Sequence, residues 1–369
     1  MKRLLVVVLI LTGCGTSEPP QLKAFFTSHN IPSAIMGSTD KSGKITWNAY
    51  GSSIWGGKET VSPDNIYRIY SMTKAIASVG AMQLVEKGQL SLDAPLNQLM
   101  PEMDSIPVFQ GDELVHMHDT ITLRHLLTHT AGFGYTFTSS KLAAFHPDKW
   151  PYRDYPRLFK SGTSWLYGTS TDWVGRLIEK VSGKDLETYL RENVTGPLKM
   201  NSTWFNVPEE LQGRIVSFGQ RDSTNGFKEL PRIPEKPATF FSAGGGLFSS
   251  PADYMRFLRC IMNKGELDGV RILKAETVEM MLQDQLPENI KLQFADSTDR
   301  WGLAWAIEAN PDEKIRPKGS VYWGGAANSY YTVDVAGGKA AVYFSNFFPL
   351  QDKEAVGFYE EYLKVVFGK

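Results

Sequence analysis

The stretch Ile69-Tyr70-Ser71-Met72-Thr73-Lys74-Ala75-Ile76-Ala77 opens an apolar segment and carries a lysine three residues after a serine. Apolar side chains recur at helical spacing from residue 72 to 87, and Gly88 is a natural helix stop. We therefore predict a buried helix that has Ser71 at its start and Lys74 one turn further on, on the same side.

This pairing of a serine with a lysine can support nucleophilic chemistry. A serine hydroxyl needs a base within hydrogen-bond reach, and Lys74 can be that base if burial lowers its pKa. Backbone N–H groups at the start of the helix favour negative charge that develops near Ser71. The pattern alone is weak evidence, because Ser38-Thr39-Asp40-Lys41 has the same spacing inside a turn. A serine that caps the helix beside a surface lysine is the alternative.

The N-terminus indicates export. A short positive region, Met1-Lys2-Arg3, precedes an apolar run that ends before Cys14. This run is shorter than the roughly 20 residues that span a bilayer, so we expect a signal peptide over residues 1–13. The segment resembles a bacterial lipoprotein signal, which implies lipidation of Cys14 and a tether over residues 14–22. A non-lipidated signal or a chance cysteine is the alternative. With the anchor, the chain would lie at the bacterial cell envelope, facing the periplasm or the exterior.

Composition narrows the possible partners. The 369-residue chain has a formal net charge of -1, which gives no basic surface for nucleic acid, so we expect a small-molecule partner. With Cys14 acylated, Cys260 is the only cysteine left, and we expect it to pack as a small hydrophobe. Neither an HExxH nor a paired-cysteine motif occurs, so we predict no metal and no cofactor. The oligomeric state stays open.

Strand-like and helix-like patterns predict an α+β fold. Hairpins are expected near both ends of the chain, at 33–38 with 44–50 and at 329–335 with 339–345, followed by a final helix over 351–367. Helix-like segments lie between them, at 123–128, 173–181, 185–192 and 252–264. We predict an antiparallel sheet flanked by helices, with an α/β lobe from about 23–90 and 235–369 and an inserted helical lobe over about 91–234.

Two further elements carry chemistry. Tyr167 lies between a Gly-containing turn and a predicted helix, where a phenol near a lysine can relay a proton. Packing at the helix entrance is its alternative role. Trp323-Gly324-Gly325-Ala326 lies directly before the last hairpin, and two glycines on a strand permit close approach of a ligand. Trp55-Gly56-Gly57 repeats the tripeptide elsewhere, so it too is weak evidence alone.

Taken in order, these elements resemble those of the penicillin-recognising serine hydrolases: class C β-lactamases, DD-peptidases and family VIII carboxylesterases. Other segments are similar to the same superfamily, and the resemblance covers roughly residues 23–369. These segments are Leu126-Leu127-Thr128-His129-Thr130-Ala131-Gly132, Gly244-Gly245-Gly246-Leu247 followed by Asp253, Gly265-Glu266-Leu267-Asp268-Gly269 and Trp301-Gly302-Leu303. The resemblance implies a two-lobed β-lactamase-like fold.

The resemblance also implies an acyl-enzyme on Ser71. Lys74 would activate the serine, and Tyr167 would share the proton and later protonate the leaving group. Backbone N–H groups of Ser71 and Ala326 would form the oxyanion hole. His129 is expected to be structural. The substrate-binding residues would be Trp323, Gly324, Gly325 and Thr169.

Two departures from the β-lactamases point to an esterase. Those enzymes and the DD-peptidases have Lys-Thr-Gly, or His in place of Lys, where this chain has Trp323-Gly324-Gly325, which offers no cation for a substrate carboxylate. The second motif of the class C enzymes is Tyr-x-Asn, and this chain has Thr169 in place of the asparagine. A threonine has no amide group to bind the amide of a substrate. Both changes are similar to the family VIII esterases.

We therefore expect a serine hydrolase that cleaves carboxylic esters. A β-lactamase, DD-carboxypeptidase or D-amino-acid peptidase is the first alternative, with an amide or β-lactam substrate. A non-catalytic protein that binds cell-wall ligands is the second. The natural substrate depends on loops such as 133–152 and 286–300 and stays open, as does the order in which Lys74 and Tyr167 accept the proton.

Overall fold

The computed structural model of the protein describes residues 19–293, 298–310 and 315–368. The predicted signal peptide and Cys14 lie outside these residues, so export, lipidation and membrane anchoring stay predictions. Within the described ranges, every helix is too short or too polar to cross a bilayer.

Helices and strands follow one another along the whole described chain. The helices α1 to α11 are Pro20–Ser28, Thr73–Glu86, Pro101–Asp104, Leu123–Leu127, Ser140–Ala143, Ser170–Ser182, Leu186–Leu190, Glu209–Gln212, Pro251–Met262, Ala275–Leu282 and Lys353–Phe367. The strands β1 to β16 are Ser33–Thr39, Ile45–Gly51, Tyr67–Arg68, Val108–Gln110, Glu113–Val115, Phe218–Arg221, Phe227–Leu230, Phe248–Ser249, Glu266–Leu267, Val270–Arg271, Arg300–Trp301, Ala306–Ile307, Val321–Gly325, Ser329–Asp334, Lys339–Phe344 and Phe347–Phe348.

A seven-stranded antiparallel sheet joins the two ends of the chain. Its strand order is β11-β12-β13-β14-β15-β1-β2. Strand β1 pairs with β15 in the register Met36 opposite Tyr343, so the N-terminal hairpin adds to the C-terminal one. Both predicted hairpins form, and the predicted α+β fold with an antiparallel sheet flanked by helices is confirmed.

Helix α2 lies in the middle of the molecule. Every side chain from Thr73 to Leu84 is buried, because the helix packs on α6 and α7 and lies within the main hydrophobic core. At Gly80 an added Cβ would lie 2.8 Å from Leu190, so the glycine lets α7 approach closely. The sequence predicted one apolar face, and the structure buries the helix all round.

One face of the sheet is covered by α1 and α11, where Leu22, Tyr343 and Phe358 pack together. Helix α1 begins at Pro20, inside the segment predicted as a tether. Cys260 is buried on α9 in the main core, as expected for a cysteine that packs as a hydrophobe. Predicted helix 185–192 ends early as α7, and a π-helical turn, Arg191–Thr195, continues it.

Candidate active site

Ser71 lies on a 3₁₀ turn, Tyr70–Met72, directly before α2. The Met72 N–H donates to the Ile69 carbonyl at 3.1 Å, and the buried Tyr254 hydroxyl donates to the Met72 carbonyl at 3.0 Å. Tyr70 has a φ of 43°, in the left-handed region that side chains other than glycine rarely adopt. Such strain persists only where the surroundings enforce it, so the position of Ser71 is strongly determined.

Lys74 points from the first turn of α2 towards Ser71 and is only 1% exposed. Its ammonium donates to Ser71 Oγ at 3.3 Å, to the Tyr135 hydroxyl at 3.0 Å and to the Gly244 carbonyl at 2.6 Å. An ammonium has three N–H donors, so these three acceptors satisfy it fully. The predicted approach of serine and lysine is present in the structure.

The electrostatics of Lys74 differ from the expectation. Burial acts to lower its pKa, but the phenol oxygens of Tyr135 and Tyr167 and the carboxylate of Asp172 act in the opposite direction and prevail. The pKa of Lys74 is therefore raised above its ordinary value rather than lowered. The resting side chain is an ammonium, which cannot accept a proton until the site has lost one.

Asp172, which lies on the first turn of α6, holds Gly244 in place. The Asp172 carboxylate accepts the Gly244 N–H at 2.9 Å and the Ser242 hydroxyl at 2.7 Å. A Cβ on Gly244 would lie 2.7 Å from the same carboxylate, which leaves room for glycine only. Gly244 thus donates its N–H to Asp172 and accepts a hydrogen bond from Lys74 at its carbonyl.

Tyr167 lies beside Lys74, as the sequence predicted. The Lys74 ammonium is 4.7 Å from the centre of the Tyr167 ring, and the Trp323 indole N–H donates to the Tyr167 hydroxyl at 3.2 Å. Both groups place positive charge near the phenol oxygen. They therefore stabilise negative charge on it.

His129 packs against the site without joining it. Its ring lies 4.8 Å from that of Tyr167, and its Nδ1 accepts the Gly168 N–H at 3.3 Å. Burial, together with the charge of Lys74, holds the pKa of His129 well below its usual range, so the imidazole is neutral. Within the described chain it forms no hydrogen bond to Ser71, which agrees with the structural role expected for it.

Ser71 opens into a cleft of about 790 Å³. An added Cβ on Gly325 would lie 2.3 Å from the Ile69 carbonyl, so this glycine allows β13 to pack against the serine turn and brings Ala326 beside it. Tyr167 lies in the same wall. The other residues that line the cleft near Ser71 include Phe137, Trp165, Leu166, Trp323, Gly324, Gly325 and Ala326.

Thr169 has a different role from the one predicted. Its hydroxyl donates to Asp154 at 2.6 Å, and the same carboxylate accepts the Trp173 indole N–H at 3.1 Å. Thr169 is not among the described residues that line the cleft. This hydrogen bond directs its polar group to Asp154 rather than into the cleft.

The assignment of the chain to a protein family rests on a match over most of its length. The model of the family described as Beta-lactamase matches residues 21–363. The chain belongs to the beta-lactamase family. This membership confirms the resemblance to the penicillin-recognising serine hydrolases and the prediction of an enzyme of serine-hydrolase type.

The beta-lactamase-family relatives include acyltransferases and an esterase. Monacolin J acid methylbutanoyltransferase of Aspergillus terreus is 28% identical, over 88% of this chain and 89% of its own. Lovastatin esterase of Penicillium rubens is 29% identical, over 79% of each chain. The unliganded structure of simvastatin synthase (LovD) from Aspergillus terreus matches with a TM-score of 0.82 at 25% identity, over 95% of this chain and 98% of that one. These matches confirm a β-lactamase-like fold.

Sequence reasoning missed three parts of this beta-lactamase-family site. Tyr135 comes from the loop predicted to govern specificity, but its contact with Lys74 has no local signal. The hydrogen bonds that Ser242 and Gly244 donate to Asp172 join segments about seventy residues apart. Arg316 lines the cleft, lies 4.2 Å over the ring of Tyr322 and forms an ion pair with Glu308 at 4.0 Å. Among the described residues, no cluster of three or more His, Cys, Asp or Glu side chains could hold a metal ion.

Proposed function

We propose that the protein cleaves carboxylic esters of small molecules through an acyl-enzyme on Ser71. The observation that carries this proposal is the contact of 3.3 Å between Lys74 Nζ and Ser71 Oγ at the wall of an open cleft, with Tyr167 beside both. A serine in hydrogen-bond contact with an ammonium, and with a phenol next to that ammonium, is equipped for proton transfer during attack on a carbonyl carbon.

The oxyanion would be bound by the backbone N–H groups of Ser71 and Ala326. The close packing of Gly325 on Ile69 supports this assignment, since it brings the end of β13 next to the serine turn. The N-terminus of α2 adds a positive dipole end behind Ser71. These fixed donors stabilise the tetrahedral intermediate without reorganisation during the reaction.

In the form of the site that has lost one proton, with Tyr167 as the phenolate, the proton of Ser71 would pass first to the Tyr167 oxygen. Because the raised pKa keeps Lys74 as an ammonium, its role is to stabilise the phenolate and to hold Ser71 Oγ in position. The Trp323 N–H supports the same negative charge. Tyr167 then returns the proton to the leaving alcohol. A second nucleophile attacks the acyl-Ser71 carbonyl and loses its proton to the same oxygen, which passes this proton to Ser71 Oγ as the bond between Oγ and the acyl carbon breaks.

Transfer of the acyl group to an alcohol is the second candidate function. It is favoured by the similarity to monacolin J acid methylbutanoyltransferase over 88% of this chain. The step is the same as hydrolysis, with an alcohol in place of water as the second nucleophile. Product analysis with a p-nitrophenyl ester and a small alcohol separates the two, because transfer yields a new ester and hydrolysis yields the free acid.

The proposal is tested with Ser71→Ala. We expect this variant of the chain without residues 1–14 to lose turnover of short-chain p-nitrophenyl esters and to lose its adduct with a fluorophosphonate probe in intact mass spectra. Ser38→Ala is the matched control, since Ser38 has a lysine at the same spacing and lies on β1. Full ester turnover by folded Ser71→Ala would disprove the acyl-enzyme assignment.

A β-lactam or D-Ala-D-Ala peptide substrate is tested in the same assay. We expect a chromogenic cephalosporin and a D-Ala-D-Ala peptide to turn over more slowly than the esters. A faster reaction with either of them would transfer the assignment to a β-lactamase or DD-peptidase while leaving Ser71 as the nucleophile.

A further inference from the structure

A second cavity, of about 410 Å³, lies beside α6 and shares no lining residue with the Ser71 cleft. It is formed by α3 and the residue after it, the loop before Asp154, and the side chains of Trp173 and Arg176 on α6. The lining residues that matter here are Glu102, Ser105, Tyr152, Arg153, Trp173 and Arg176.

Arg176 gives this cavity an unusual cation. Its guanidinium carbon lies 4.2 Å from the centre of the Trp173 ring and 5.5 Å from that of Phe240. Its Nε and Nη1 atoms are buried and have no hydrogen-bond partner among the described residues. Buried charged donors without acceptors are costly, and most proteins avoid them.

Arg153 brings a second guanidinium to the same cavity. Its carbon lies 5.6 Å from the centre of the Phe240 ring, so both arginines flank one phenylalanine. Burial and the like charge of Arg153 lower the pKa of Arg176, in the direction expected when two cations converge.

The carboxylates of Asp154, Asp172 and Glu102 offset part of the charge of Arg176, but within the described chain none of them accepts a hydrogen bond from its Nε or Nη1 atom. Asp154 accepts hydrogen bonds from Thr169 and Trp173, and Asp172 is committed to Gly244 and Ser242. Glu102 lines the cavity, and within the described chain neither arginine forms a hydrogen bond or an ion pair with it.

We propose that this cavity binds the oxyanion of a small molecule, a carboxylate or a phosphate group, between Arg176 and Arg153. A guanidinium presents parallel N–H donors that match two oxygens of such a group. The bound anion supplies acceptors to the buried Nε and Nη1 atoms and relieves the repulsion between the two arginines. The volume exceeds that of phosphate itself, which leaves space for an organic part of the ligand.

This site can be tested by calorimetric titration of the protein at constant ionic strength. The protein is titrated with inorganic phosphate and, in a separate experiment, with acetate. We expect saturable binding of at least one of the two anions, and the stronger one identifies the head group. Arg176→Met keeps the aliphatic stem over Trp173 and should weaken binding by about tenfold or more, the value of a lost hydrogen bond between charged groups.

Two further variants keep the test decisive if Arg176→Met does not fold. Arg153→Met should weaken binding, and Glu102→Gln should tighten it, because it removes a negative charge from the cavity. Lys180→Met, on the exposed side of α6, and Arg316→Met, in the Ser71 cleft, are controls that should bind as the wild type does. Absence of binding in the wild type, or equal binding by the arginine variants of this cavity, would overturn the proposal.

Discussion

The three acceptors of the Lys74 ammonium are chemically different. Ser71 Oγ is the reacting atom, the Gly244 carbonyl is a fixed peptide dipole, and the Tyr135 hydroxyl is a phenol that can be removed without moving the backbone. Tyr135 therefore offers the cleanest single change to the charge balance at Lys74. Its hydroxyl positions and tunes the lysine, while Tyr167 exchanges the proton.

Tyr135→Phe should shift the pH dependence of the reaction. The Tyr135 oxygen raises the pKa of Lys74, so its removal lowers that pKa and lets the Lys74–Tyr167 pair lose its first proton at lower pH. The limb of the kcat/KM profile that rises with pH should move to lower pH. The loss of a hydrogen bond to an ammonium should also reduce kcat/KM by about 10- to 100-fold.

The control for this change is Tyr155→Phe, a half-exposed tyrosine away from the cleft, which should leave the profile unchanged. A limb that stays in place, or moves to higher pH, in Tyr135→Phe would show that this phenol does not raise the lysine pKa.

At the scale of elements, the contact between β13 and the serine turn is the critical one. Gly325→Ala places a methyl group 2.3 Å from the Ile69 carbonyl, so the strand must move away from the turn. We expect a stability loss of about 1–3 kcal/mol from overpacking and a fall in kcat of about 100- to 1,000-fold, because the Ala326 donor is displaced from the oxyanion.

Gly213→Ala is the matched control, since a Cβ there meets no atom within 4 Å and its φ is −60°. Denaturant unfolding and ester kinetics on both variants separate the two effects. If Gly325→Ala keeps wild-type kcat although it is destabilised, Ala326 is not an oxyanion donor.

The elements that could be predicted from the sequence are those with strong local signals. Helix α2 and the two hairpins of the main sheet combine an apolar pattern with turn residues at their ends, and their observed bounds lie close to the predicted ones. Strands β3 and β8 are two residues long and form only because distant segments pair, so no local pattern marks them.

The candidate site likewise contains some residues that a local sequence pattern predicts and others that it does not. Ser71 and Lys74 are three residues apart, so helix geometry alone predicts their contact. Tyr167, Trp323 and Ala326 had only weak local signals, which the family resemblance reinforced, and the structure brings them to the same cleft. Tyr135 could not be predicted, because its hydrogen bond to Lys74 spans 61 residues of sequence and depends on the path of a loop.

The main hydrophobic core unites the sheet and the helices that separate its two ends in sequence. Ile35 on β1, Ile76 on α2, Leu177 on α6 and Val342 on β15 belong to one buried cluster. Because α2 belongs to this cluster together with residues of the sheet and of α6, unfolding of either the sheet or the inserted helices exposes apolar surface to water. That exposure costs about 25 cal/mol for each Å² of apolar surface, which couples the two parts strongly.

We therefore expect the whole described fold to unfold in one cooperative transition. In a guanidinium titration, far-UV circular dichroism, which follows the helices, and tryptophan fluorescence, which follows the packing of the aromatic residues in both parts, should give the same midpoint and the same slope. Two separate midpoints would mean that the inserted helices form their own cooperative unit. Ile76→Ala, at the centre of the shared core, should lower both midpoints together by an amount equivalent to about 2–5 kcal/mol, because a cavity there weakens both parts at once.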